Sequence, residues 1–141
     1  MTLLDTLHVE IVEITRTRCE ARLPITPEVC QMHGFVHGGT TLALLETVAS
    51  MGANECADLA RERPFGTVVS VRHRKPGVKG WLRGVAELAS ERAGSHGSRV
   101  QLWNVAAYDD EGDVISEGTV ETKIVTLARL EEKKGEHRTA R

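Results

Sequence analysis

Between Gly38 and Asn54 the chain carries a single charged side chain, Glu46, inside Gly38-Gly39-Thr40-Thr41-Leu42-Ala43-Leu44-Leu45-Glu46-Thr47-Val48-Ala49-Ser50. Leu42, Leu45, Ala49, Ala53, Ala57 and Ala60 recur at close to 3.6 residues, which predicts one long helix from about Gly38 to Arg61. The glycine pair opens it, and Arg61-Glu62-Arg63-Pro64 supplies cations and a proline to end it. Leu42, Ala43, Ala49 and Ser50 lie one turn from Glu46 and share its face. A carboxylate on an apolar face costs free energy to bury unless it is paired or used. Arg72, Arg74 or Arg83 would be the structural partner; a chemical role is the alternative.

The rest of the chain reads as strands. Leu7 to Leu23 alternates loosely and predicts one or two strands ending at Pro24. Thr67–Arg74, Trp81–Ser90, Val100–Tyr108 and Val114–Leu127 follow the helix, with a hairpin turn at Asp109-Asp110-Glu111-Gly112-Asp113. One helix cannot cover both faces of such a sheet if it is antiparallel, so the second face is either solvated or covered by another subunit. Residues 1–127 are expected to form a single domain, and the charged tail 128–141 is expected to fray.

Composition excludes several classes. A formal charge of -2 and an aromatic content of 4% argue against a nucleic-acid binder, which needs a basic excess or stacking platforms. Cys19, Cys30 and Cys56 cannot all pair within one chain, so free thiols in a reducing cytoplasm are expected. No run of about 18 apolar residues suggests a membrane span, and no secretory signal is visible at Met1-Thr2-Leu3-Leu4-Asp5.

Free N–H groups around Gly38 and Gly39, aided by the helix dipole, offer a site for a developing oxyanion. With the Glu46 carboxylate they are the minimum equipment for attack on an acyl carbonyl. The eight positions from Gly38 to Glu46 span roughly 12 Å of helix at about 1.5 Å per residue. One subunit's helix start therefore cannot easily serve its own Glu46. Antiparallel helices at a dimer interface could bring the two together, and the small residues Ala43, Ala49, Ser50, Gly52 and Ala53 would permit the approach. His33 and His37 have an i, i+4 spacing, but Gly34 lies between them and no third ligand is near, so no metal is expected. Ser50 could hold the Glu46 carboxylate or simply pack. The basic run Arg72-His73-Arg74-Lys75 with Lys79 is either a solvated strand end or a phosphate contact.

Gly34-Phe35-Val36-His37-Gly38-Gly39 followed by Glu46 resembles the hotdog-fold acyl-CoA thioesterases of the phenylacetic-acid-degradation type. The likeness is closest to their glutamate branch, which includes 4-hydroxybenzoyl-CoA and 1,4-dihydroxy-2-naphthoyl-CoA thioesterases. It extends from about Leu7 to Leu127 through Ser70-Val71-Arg72-His73, Leu82-Arg83-Gly84 and Gly97-Ser98-Arg99-Val100-Gln101-Leu102-Trp103. The resemblance implies an α+β hotdog fold, an antiparallel sheet wrapped around one long central helix. It implies hydrolysis of an acyl-CoA, by branch an aryl-CoA, to free acid and CoA with no cofactor beyond the CoA of the substrate. Glu46 would be nucleophile or general base, Gly38 the oxyanion donor, Gln31 a second polariser of the carbonyl, and Ser50 and His37 accessory groups. Gly39, His73, Ser98 and Arg99 would contact substrate or CoA. Arg72 departs from the branch, which usually has Asn there. The implied assembly is a dimer of dimers, a homotetramer, with each site shared between two subunits. A non-catalytic acyl-CoA-binding regulatory module is the alternative, and a hydratase on the same fold ranks behind it.

Overall fold

A computed structural model describes residues 1–139 of the chain. A short helix α1 (Leu3–Thr6), capped by Thr2 and Asp5, precedes β1 (Glu10–Ile14) and β2 (Arg18–Pro24). After a single 3-10 turn at Pro27–Val29 comes the long helix α2 (Gly38–Cys56). Strands β3 (Glu62–His73), β4 (Trp81–Ala93), β5 (Arg99–Tyr108) and β6 (Val114–Thr126) follow, and α3 (Leu127–Thr139) ends the described chain. All six strands form one antiparallel sheet in the order β1-β2-β4-β5-β6-β3. Strands β1 and β3 are its edges.

Helix α2 lies against the sheet by a stripe of Thr41, Leu44, Leu45, Val48, Ala49, Gly52 and Ala53. The spacing i, i+3, i+4, i+7 puts these side chains on one face. They meet Cys19, Ala21 and Leu23 from β2, Leu82 and Ala86 from β4, Trp103, Val105 and Ala107 from β5, and Val120 from β6. Each strand contributes alternate residues, as the two-residue repeat requires. The indole N–H of fully buried Trp103 donates to Gln101 Oε1 at 3.3 Å and Thr122 Oγ1 at 3.1 Å, so the largest core side chain buries no unpaired donor. The sheet's other face carries polar and charged groups, among them Glu87, Asn104, Glu117, Thr119 and an Arg83–Tyr108 ring contact, along a groove of about 810 Å³.

Two sequence expectations are corrected. The helix stops at Cys56 rather than Arg61, because Ala57 turns extended and Asp58 organises a separate turn. Asp58 accepts the Arg61 and Glu62 N–H groups through its carbonyl and the Ala60 N–H through its carboxylate. This local alternative competes with helix continuation. Ala57 and Ala60 consequently lie beyond the helix, and Leu42, off the buried stripe, is only half-buried. Strand β3 starts at Glu62 and runs through Pro64, five residues before the predicted Thr67. An edge strand tolerates a proline whose missing N–H faces away from the ladder. The charged tail begins in α3, helical from Leu127 as far as Thr139. Its first turn is tied by the Arg129 N–H to Thr126 Oγ1, and Arg129–Glu132 and Glu131–Lys134 pairs run along it. Residues 140 and 141 of that tail lie outside the described residues.

The seating of α2 on β5 depends on Gly52, where an added Cβ would come within 2.2 Å of the Trp103 ring. Gly52→Ala gains about 1 kcal/mol of helix propensity against an overpacking cost of about 1–3 kcal/mol. A 2.2 Å approach to a fully buried ring belongs at the severe end of that range. Thermal unfolding should therefore show Gly52→Ala less stable than wild type by roughly 1–2 kcal/mol, and an equal or higher Tm would contradict the packing described.

Candidate active site at the start of the central helix

The chain enters α2 through a tight segment. The Gln31 N–H donates to the Phe35 carbonyl at 2.8 Å and the Gly34 N–H to the Gln31 carbonyl at 3.0 Å, with Gly34 at φ +87°. Val36 and His37 are then anchored by their N–H groups to Gly77 and Val29. His37 caps the helix: its Nδ1 accepts the Gly39 N–H at 2.8 Å, and its carbonyl accepts the Thr40 N–H at 2.9 Å. An accepting Nδ1 leaves the ring proton on Nε2. The first N–H of the helix, on Gly38, has no intrahelical acceptor by the geometry of a helix start. The donors that the sequence suggested around both glycines thus divide: the Gly39 N–H is capped by His37, and Gly38 borders the adjoining cleft.

Gly38 lines a cleft of about 390 Å³ with Gln31, Phe35, Thr41, His73 and Ile115. His73, at the end of β3, is held by its Nδ1 at 2.7 Å from Oγ of fully buried Ser116 on β6. Its Nε2 lies so close to Gly38 that a Cβ there would stand 2.9 Å away. The Gln31 side-chain carbonyl accepts the His33 N–H, which leaves the amide NH₂ as the donor end of that side chain. Gln31, Gly38 and His73 are therefore brought together as walls of one cleft.

Glu46 is not in this cleft. It projects from the face of α2 away from the core stripe and is exposed in the protomer, so the burial cost expected from sequence does not arise within one chain. Its carboxylate rests beside Gly66 of β3, where an added Cβ would meet Oε1 at 2.4 Å. Of the three arginines considered as partners, Arg74 pairs with Glu117 at 3.0 Å and Arg83 with Glu20 at 3.2 Å. Glu46 has no ion-pair partner among the described residues. Ser50 is half-buried one turn on, and its carbonyl accepts from Asn54 at 2.8 Å.

Ser98 and Arg99 sit elsewhere and are occupied. Ser98 Oγ donates to the Ser95 carbonyl at 2.6 Å, closing the turn between β4 and β5. Arg99 binds Glu62 at 2.8 Å, Glu91 at 3.4 Å and the Cys56 carbonyl at 3.1 Å, tying the end of α2 to the sheet. Lys75 at the cleft's edge bridges Asp109 and Asp113 at 2.8 and 2.7 Å. These bonds raise the Lys75 ammonium above its ordinary range and lower the Asp109 carboxyl, whose main cause is Lys75. Asp109, Glu111 and Asp113 are the grouping among the described residues whose ligand atoms would suit a metal, and Lys75 already neutralises two of them. Sequence reasoning did not single out Thr41, Ser116 or Gly66. A glycine inside strand β3 was the one available signal, since it marks a close approach.

Residues 33–116, more than half of the chain, match the family model described as the thioesterase superfamily. The chain belongs to that superfamily. Its fold is the hotdog fold, with the sheet around a central helix. Within the superfamily it is 38% identical over 114 residues to ComA2 of Bacillus subtilis, covering 81% of this chain and 86% of the relative. It is 29% identical over 110 residues to a 1,4-dihydroxy-2-naphthoyl-CoA hydrolase of Listeria monocytogenes, covering 78% and 85%. A solved structure of the Staphylococcus aureus protein SAV0944 superposes with a TM-score of 0.82 at 25% identity, over 89% of this chain and 100% of that one. The part matched by the family model includes Gly38, Glu46, Gly66 and His73, while Gln31 of the cleft lies two residues before it.

Gly38→Ala tests the contact at the helix start. The group it meets is the far edge of a histidine ring, which can rotate away, so the fold should lose less than about 1 kcal/mol. His73 should leave Ser116, read as a shift of the His73 imidazole nitrogens by NMR with the far-UV spectrum unchanged. Unaltered His73 signals would contradict this geometry.

Proposed function

We propose that this superfamily member hydrolyses acyl-CoA thioesters, with an aryl-CoA as the preferred class, at a site completed by two subunits. The observation that carries the reading is the division of labour along α2. Gly38, Gln31 and His73 line one cleft, while the carboxylate of Glu46, without an ion-pair partner among the described residues, stands eight residues farther along the same helix. Antiparallel apposition of two α2 helices would bring Glu46 of one protomer to the glycine turn of the other. Strand β3 favours such a partner: it is a sheet edge twelve residues long with Phe65 and Val68 about half exposed. A dimer of dimers is the assembly proposed. The relatives named as thioesterases and as a naphthoyl-CoA hydrolase support the substrate class.

In this mechanism the thioester carbonyl accepts hydrogen bonds from the Gly38 N–H and the Gln31 amide, which stabilise the oxyanion as it forms. Glu46 of the facing subunit attacks the carbonyl carbon or takes a proton from the attacking water. The C–S bond breaks and CoA leaves as the thiolate. With water as the attacking group the acid is released at once; with Glu46 as nucleophile, water then hydrolyses the acyl–Glu46 anhydride, which frees the acid and restores the carboxylate. Ser50, one turn from Glu46, would steady the carboxylate, and His37 keeps Gly39 capped so that the helix start stays open at Gly38. The free thiols of Cys19, Cys30 and Cys56 suit a reducing cytoplasm. Among the described residues no helix is long and apolar enough to cross a membrane.

Thiol release from benzoyl-, phenylacetyl-, hydroxybenzoyl- and medium-chain acyl-CoA tests the reading. Glu46→Gln should lower kcat by at least the 10²- to 10⁴-fold typical of acid–base catalysis. Gly66→Ala, which leaves Glu46 in place chemically but pushes its carboxylate aside, should lower kcat with the fold intact. Equal rates in wild type and Glu46→Gln would remove Glu46 from the reaction. CoA binding without release from any thioester would favour the regulatory module.

A further inference from the structure

His73 meets the cleft with one ring nitrogen engaged and one free. Its Nδ1 lies 2.7 Å from Ser116 Oγ, while Nε2 stands beside Gly38 and has no hydrogen-bond partner among the described residues. Which nitrogen carries the proton of the neutral ring decides what the cleft meets there, a donor or a bare lone pair.

The surroundings of Ser116 bear on that choice. Strand register pairs His73 with Ser116 and Ser116 with the core residue Ala107, so all three lie on the sheet face that carries α2. Ser116 is fully buried, and His73 Nδ1 is the one hydrogen-bond partner of its Oγ among the described residues. A serine hydroxyl has a single proton to donate. If Nδ1 carried the ring proton, Oγ would have to accept it, and the serine's own proton would be buried without an acceptor. That leaves a desolvated donor unpaid by any bond, the costlier of the two arrangements. With the hydroxyl donating, Nδ1 accepts and both groups are satisfied.

We propose that Ser116 is a positioning residue of the hydrolytic site: its hydroxyl, donating to His73 Nδ1, holds the ring with a protonated Nε2 beside Gly38. That N–H is then a third donor to the thioester carbonyl, next to the Gly38 N–H and the Gln31 amide. The inference rests on the thioesterase reading for its acceptor, but the tautomer is read without hydrolysis.

Long-range 1H–15N correlation on the labelled full chain, at a pH above the imidazole titration, gives the tautomer; the His73 signals are those missing from His73→Ala. They should show a protonated Nε2 and an unprotonated Nδ1, and a proton on Nδ1 would overturn the proposal. In thiol release from the acyl-CoA hydrolysed fastest, Ser116→Ala should lower kcat roughly five- to tenfold, the worth of about one hydrogen bond in the transition state. The same change should cost nothing further when His73 is already alanine, because Ser116 acts through the ring. His73→Gln, whose amide NH₂ keeps a donor on the cleft side, should retain more activity than His73→Ala. An equal loss from Ser116→Ala in both backgrounds, as packing alone would give, or His73→Gln no better than His73→Ala, would overturn the role assigned. Thiol release by a protein with the proton on Nδ1 would remove this inference and leave the thioesterase reading. A protonated Nε2 in a protein that releases thiol from no acyl-CoA would remove the thioesterase reading, and the donor's role with it.

Discussion

The structure depends on close approach between one helix and the sheet that curves around it. Glycines make that approach possible at both contacts of α2 with the central strands. At Gly52 the helix backbone lies under the Trp103 ring, and at Gly84 the β4 backbone lies against Leu44, where a Cβ would stand 2.8 Å from the side chain. Interiors packed to crystal-like density leave no slack to absorb a methyl group at such points. With the helix so fixed, its start is fixed too, and the cleft of Gln31, Gly38 and His73 inherits its geometry from core packing. The same seating turns Glu46 outward. A stripe that buries Leu44, Leu45, Val48 and Gly52 leaves position 46 on the opposite side.

That rotation bears on the proposed chemistry. The Glu46 carboxylate and the helix start at Gly38 are separated by helix length, roughly 12 Å for eight residues. No rotamer of glutamate closes such a gap. In the proposed dimer, two copies related by a two-fold axis would close it twice, once at each site. The edge strand β3 offers an unpaired backbone for such a partner and carries the glycine that makes room for Glu46. The proposal thereby links association and chemistry through one strand.

Much of this was legible in the sequence where the signal was local. Gly38-Gly39 marked the helix start, where added side chains would press on His73 and His37, and Gly112, at φ +83°, marked the hairpin. The strands and their succession along the chain followed from two-residue alternation. The helix end was misread because Ala57 and Ala60 continued the apolar period, whereas Asp58 captured the backbone in a turn of its own. The exposure of Glu46 was hidden because Leu42, Ala43, Ala49 and Ser50, its neighbours one turn away, are all uncharged, so periodicity could not say which face met the sheet. Ser98 and Arg99 looked like ligand contacts in sequence; within the protomer both hold turns and helix ends together. His73 gained its neighbour Ser116 only through strand register, which pairs positions 43 residues apart.

Subunit complementation tests the shared site most directly. Glu46→Ala and Gln31→Ala proteins, each assayed alone, should be nearly inactive in thiol release from an aryl-CoA. After mixing and subunit exchange, half of the dimers carry one variant of each kind, and one of their two sites is then wild type in every residue. Activity should return to about a quarter of the wild-type rate, as two-fold symmetry requires. No recovery in a mixture whose subunits have demonstrably exchanged would contradict a site built from Glu46 of one protomer and the helix start of the other.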